Sequence, residues 1–255
     1  MKAIRAALVD IGGTLWPNSW PIRATDREGR LARLRAVLPQ LSLENATALC
    51  NDIITKSRDL NGGTVMVPEL IRIEADDLIT MCLNEHAVPI QASTVTRVRR
   101  AMAIPIDGRF HPLPGAVELL ATIRELGLRC VIASNTYWRD AKSYWDDFTI
   151  LGMAPYIDAV VTSVDAGHLK PHPAVFELSV RAAGVPAEQC IVIGNKESND
   201  VEPALELGMR VILVHPDDPA PTSTKAHAVA ADLWQCARVL RDMLESSGPY
   251  PADRR

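Results

Sequence analysis

Residues 3–16 read AIRAALVDIGGTLW. The first seven form a short, almost wholly apolar run without alternation, the pattern of a parallel strand covered on both faces. The run stops at a carboxylate, Asp10, and the Gly12-Gly13 pair that follows reads as a tight turn. In open parallel sheets, ligands lie beyond the carboxyl ends of the strands. Asp10 is therefore where the search for chemistry begins.

Four further apolar runs lie downstream, at 128–134 (LRCVIAS), 157–163 (IDAVVTS), 190–194 (CIVIG) and 210–215 (RVILVH). Helical periodicity occupies the spaces between them, at 114–126, 139–152, 172–184 and 199–208, and again at 232–244. Strict alternation of helices with buried strands predicts an α/β fold with a doubly wound, Rossmann-like parallel sheet. Between the first and second strands the character changes. Residues 23–38, 42–60, 68–87 and 92–103 place apolar residues at helical spacing and contain no strand-like run. Thr25 with Glu28 and Ser42 with Asn45 offer helix starts, and Asn61-Gly62-Gly63 marks a loop between the second and third helices. The expected organisation is a core of residues 1–16 and 105–246, an inserted α-helical cap at 17–104, and a frayed tail at 247–255.

Composition narrows the function. The 255 residues are 47% hydrophobic and 23% charged, ordinary values for a chain that buries a core. Lys and Arg number 27 against 31 Asp and Glu, a net charge of −4, which argues against a nucleic-acid stripe or a basic membrane patch. No apolar stretch approaches the ~20 residues of a membrane span. The chain enters its first strand almost at Met1, so a cytoplasmic location is expected. The cysteines Cys50, Cys82, Cys130, Cys190 and Cys236 form no CxxC pair and are expected to be buried, reduced thiols. Lysines are few, Lys2, Lys56, Lys142, Lys170, Lys196 and Lys225, so one at a strand end carries weight.

The strand ends collect Asp10-Ile11-Gly12-Gly13-Thr14, then Ser134-Asn135-Thr136, then Thr162-Ser163 with Lys170-Pro171, then Gly194 to Asp200. A carboxylate, a hydroxyl beside an amide, an ammonium and a second acidic cluster suit a small anionic substrate and a hard divalent cation held by oxygen. In this order and spacing the motifs resemble those of the haloacid dehalogenase superfamily, most of whose members are magnesium-dependent phosphatases. The likeness spans residues 5–215, and the helical insert resembles that family's cap. The resemblance implies Asp10 as the nucleophile that forms an aspartyl intermediate, and Ser134 and Lys170 as its catalytic partners. It further implies a phosphate cradle of Gly12, Gly13, Ser134, Asn135 and Lys170. A Mg2+ ion would lie on Asp10, the Gly12 carbonyl, Asn195 and Asp200.

Two positions depart from the family pattern. The phosphatases carry a second aspartate, the general acid and base, where this chain has Gly12, and an acidic metal ligand where it has Asn195. Glu197 is a candidate to compensate for Asn195. Three functions remain open at this level: a phosphatase-type hydrolase of a small phosphorylated metabolite, a non-catalytic binding protein, and a hydrolase of carbon–halogen or carbon–phosphorus bonds. For a phosphonatase-type reaction, Lys56 in the cap would form the Schiff base. His168 and His172 read as solvated loop residues, Trp16 and Trp20 as packing, and Trp138, Tyr144 and Trp145 as one packed helix.

Overall fold

The computed structural model describes residues 3–17, 26–60, 74–106, 108, 110–216 and 221–245. Thr25, Trp20, the Asn61-Gly62-Gly63 loop and the 247–255 tail lie outside the described residues. The chain divides into two compact units, one of residues 1–18, 106–136 and 140–255, the other of 19–105 and 137–139.

In the first unit, β1 (Ala6–Val9), β2 (Arg129–Ser134), β3 (Ala159–Thr162), β4 (Cys190–Gly194), β5 (Arg210–Val214) and β6 (Ala228–Ala230) form one sheet in the order β3-β2-β1-β4-β5-β6. Every pairing is parallel. β1 thus lies at the centre, where the chain winds outward in both directions. Side chains of one face, among them Leu8, Val131, Ala133 and Val192, share a core with Val175 and Phe176. These last two belong to helix Ala174–Ala183. Helices Ala116–Glu125 and Leu233–Glu245 pack on each other and against the sheet. Val9 is level with Ile132 of β2 and Ile193 of β4, and the Asp10 amide donates to the Ile193 carbonyl at 2.9 Å. The same register sets Ala133 and Gly194 beside Asp10.

The second unit contains helices Arg27–Val37, Leu43–Leu60, Ala75–Glu85 and Ala92–Met102. Leu34, Leu49, Ile53, Leu78, Leu83 and Met102 are buried in its core. The Ser42 hydroxyl accepts from the Asn45 amide at 3.1 Å, the cap that the sequence offered. No helix among the described residues is long and apolar enough to cross a membrane.

Three features differ from the sequence reading. β6 was not expected: AVA is too short and too weakly apolar to stand out without its neighbour β5. The helix read at 199–208 begins as a π-turn over Glu197–Val201, followed by a short α-helix, Glu202–Glu206. Trp138 precedes the helix Ala141–Ile150, and it packs on the core of the helical unit. Trp16 is a packing residue, with ring centroids 5.0 Å from Phe110 and 5.4 Å from both Tyr144 and Phe148.

Candidate active site

Asp10, at the carboxyl end of β1, is only 6% exposed. Turn chemistry holds it there. Gly13 takes φ 78°, a left-handed conformation that glycine adopts at no steric cost, and its amide donates to the Trp16 carbonyl at 2.7 Å. The turn brings back Thr14, whose hydroxyl donates to Asp10 Oδ2 at 3.2 Å. Thr14 is fully buried; the sequence placed it in the motif without giving it a role.

Lys170 is 3% exposed, and its ammonium uses all three protons. It donates to Asp10 Oδ1 at 2.8 Å, to Asp200 Oδ1 at 2.5 Å and to the Ala133 carbonyl at 3.0 Å. Residues 160 and 30 positions away in sequence thus meet on one cation. Burial alone would push the Lys170 pKa down, but the charges of Asp10 and Asp200 outweigh it and hold the group above its ordinary value, cationic throughout the useful pH range. For Asp10, burial pushes the carboxyl up, Lys170 pulls it down and Asp200 pushes it up again; the net direction is upward. The three charges sum to one negative.

Asp200 arrives through the π-turn. Its Oδ2 accepts from the amides of Asn195 at 3.2 Å and Lys196 at 3.0 Å. A Cβ on Gly194 would lie 2.4 Å from Asp200 Cγ, so glycine ends β4 because the carboxylate sits against the backbone. Glu197 is elsewhere engaged. Its oxygens accept from the Thr224 hydroxyl at 2.6 Å and the Lys225 amide at 2.8 Å, so in this geometry it does not compensate for Asn195.

Ser134 is buried beside this cluster at the end of β2, its hydroxyl 3.2 Å from the Asn135 carbonyl. The Asn135 side chain, expected at the phosphate, engages the backbone of Lys170 instead. Its Oδ1 accepts from the Lys170 amide at 2.6 Å and its Nδ2 donates to the Lys170 carbonyl at 2.9 Å. His168 and His172 are exposed and stacked on each other, with ring centroids 3.9 Å apart. Lys56, in the helical unit, is ion-paired with Glu85 and with Asp52, the latter at 3.1 Å. The hydrogen bond to Glu85 raises its pKa first of all, and a Schiff-base lysine needs the neutral amine.

The site is thus a buried carboxylate braced by a buried ammonium at the centre of a parallel sheet. The haloacid dehalogenase-like hydrolase family matches residues 4–208, and the chain belongs to it. Glyceraldehyde 3-phosphate phosphatase of Methanocaldococcus jannaschii is 25% identical over 211 residues, 83% of this chain and 85% of that protein. Two solved structures share the fold. A phosphatase of the family from Thermococcus onnurineus superposes with a TM-score of 0.58 at 17% identity, covering 93% of this chain and 98% of its own. The 2-haloacid dehalogenase of Pseudomonas syringae pv. tomato gives 0.56 at 20% identity, covering 94% and 99%. Taken with the curated relatives, the family defines a hydrolase of phosphatase type.

Phosphatases of this family generally use Mg2+. No cluster of three His, Cys, Asp or Glu side chains placed to hold a metal occurs among the described residues, and a divalent ion beside the two carboxylates Asp10 and Asp200 would draw partly on neutral oxygen. The oxygen donors of Asp10, Asp200 and the Gly12 carbonyl suit a hard cation. Asn195 Nδ2 is buried without a partner, and an amide turned to put its oxygen there would offer a neutral donor of the kind such a site takes. The residues fit Mg2+, with less charge than an all-carboxylate site.

Proposed function

We propose that this chain hydrolyses a small phosphorylated metabolite through an aspartyl phosphate at Asp10. The observation that carries the reading is the Lys170 ammonium shared by Asp10 and Asp200 in a buried strand-end site. One oxygen of Asp10 attacks phosphorus, the bond to the leaving alkoxide breaks, and the phosphoryl group is transferred to the carboxylate. Lys170 keeps Asp10 oriented and offsets the charge that gathers on the phosphoryl oxygens. Ser134, at the end of the neighbouring strand, and the backbone amides beside it hold those oxygens. With no side chain at Gly12, solvent supplies the proton to the leaving group and the water that frees Asp10. Asp10, Asp200, the Gly12 carbonyl and the Asn195 amide would hold Mg2+, which when bound neutralises phosphate charge. A cytoplasmic location is part of this proposal.

The test is a panel of phosphate monoesters with and without Mg2+. Glyceraldehyde 3-phosphate heads it, because the archaeal relative is named for that substrate. Wild type should release phosphate in a Mg2+-dependent reaction. Asp10→Asn should abolish it while remaining folded, since the amide keeps an oxygen for Lys170 but cannot form the aspartyl species. A variant that retained most of the turnover would demote Asp10 to a structural role. A wild type inert on the whole panel would sink the phosphatase reading.

A further inference from the structure

We infer that the Asn135 side chain positions Lys170 and is not a phosphate ligand, an inference that rests on the function proposed above. Its amide grips both polar groups of the Lys170 backbone, the N–H at 2.6 Å and the carbonyl at 2.9 Å, across 35 residues of sequence. That two-point bond sets the lysine's backbone next to the end of β2. The side chain then runs back to the same strand, and its ammonium donates to the carbonyl of Ala133, two residues before Asn135. Lys170 is therefore tied to β2 at both ends of its side chain. A long, flexible lysine tied at one end only would spread over several rotamers. Tied at both, it delivers its two remaining protons to Asp10 and Asp200. An amide is well shaped for this double bond, because one planar group offers an acceptor and a donor side by side, matching a backbone N–H and C=O.

A positioning role and a ligand role predict opposite results for the charged isostere. Asn135→Ala removes both bonds, whereas Asn135→Asp keeps the shorter one to the Lys170 N–H. If Asn135 positions Lys170, Asn135→Ala lowers kcat on p-nitrophenyl phosphate by about 10²-fold, the effect of misplacing a catalytic group by an ångström. Asn135→Asp, which keeps the bond to the Lys170 N–H, recovers part of kcat and part of any inhibition by inorganic phosphate lost with the displaced lysine. If the Asn135 side chain binds phosphate, Asn135→Asp is worse than Asn135→Ala in both kcat and the phosphate inhibition constant, because its charge repels the anion. That outcome overturns the inference. A loss of melting temperature with kcat and KM unchanged overturns it too.

A crystal structure of Asn135→Ala separates this result from the fate of the proposed function. Should wild type prove inert on every ester, the structure still decides. Lys170 Nζ displaced from Asp10 and Asp200 supports the positioning role. Lys170 Nζ still within hydrogen-bond distance of both overturns it.

Discussion

In the reaction proposed above, with no side chain at Gly12, the leaving alkoxide and the water that clears Asp10 would both exchange protons with bulk solvent. General acid–base help contributes about 10²–10⁴ in rate, so the aspartyl phosphate should be long-lived. Gly13 holds the left-handed position of the turn, while Gly12 pairs with Trp16 in a β-bridge, a conformation open to side chains. Gly12→Asp is therefore expected to speed turnover of phosphate monoesters by about 10²-fold, measured as phosphate release against wild type. A folded, Mg2+-binding variant with no gain would count against an acid-starved phosphatase. Asn195 poses a similar question for the metal. Adding one charge as Asn195→Asp should tighten Mg2+ by about tenfold in isothermal titration, because ligand charge sets affinity at oxygen sites. Unchanged affinity would remove Asn195 from the donor set.

β4 and the π-turn behind it act as one unit. The turn closes with the amides of both Asp200 and Val201 on the Lys196 carbonyl, at 2.8 and 3.3 Å, which turns the Asp200 carboxylate onto the backbone at 194–196. Gly194 makes room for it, and a methyl group there has nowhere to go but into Asp200. Gly194→Ala should displace Asp200 and lower turnover by about 10²-fold while Lys170 loses a buried counter-charge. Steady-state kinetics and a melting curve on the same sample check this; full activity would mean that Asp200 is not needed where it sits. The segment after β2 has a different allegiance. Tyr137–Arg139 groups with the helical unit, where Arg99 reaches the Trp138 carbonyl at 3.4 Å and Arg139 bonds the Ile104 carbonyl. Apolar periodicity carries no trace of this, since three residues are too few to show a period, and they join the helices through Tyr137 and Trp138 packing on their core and arginines reaching backbone oxygen.

Across the molecule, all five thiols are free and buried, two in the helical unit and three in the sheet unit. Burial raises every one of them, Cys82 and Cys190 to about 11, with the carboxylates of Asp52 and Glu188 adding to the effect. Folding thus favours the protonated thiols over an unfolded chain that ionises near 9. Their contribution is fully absent below pH 9, where both states hold the proton, and the raised thiols instead make unfolding more favourable as the pH climbs from 9 through about 11. The urea midpoint should fall over that window, and more shallowly in a Cys82→Ala, Cys190→Ala double variant. Equal slopes for both proteins would show that the thiols do not drive alkaline unfolding.

The sequence by itself determined the class of fold, the strand bearing Asp10 and the identity of the residues at each strand end. Burial of parallel strands on both faces leaves unbroken apolar runs, and such runs are visible one residue at a time. It also exposed the two departures, Gly12 and Asn195, since a missing carboxylate is a matter of composition. Only the tertiary structure decided what those residues do to one another. The Lys170 bridge joins positions 10, 133 and 200, the Asn135 side chain bonds the Lys170 backbone, and Glu197 bonds the 224–225 loop. β6 and the attachment of Tyr137–Arg139 to the helices belong to the same class. Hydrogen bonds and ion pairs act over about 3 Å in space, whatever the separation along the chain, so their partners are set by register and winding and not by local pattern.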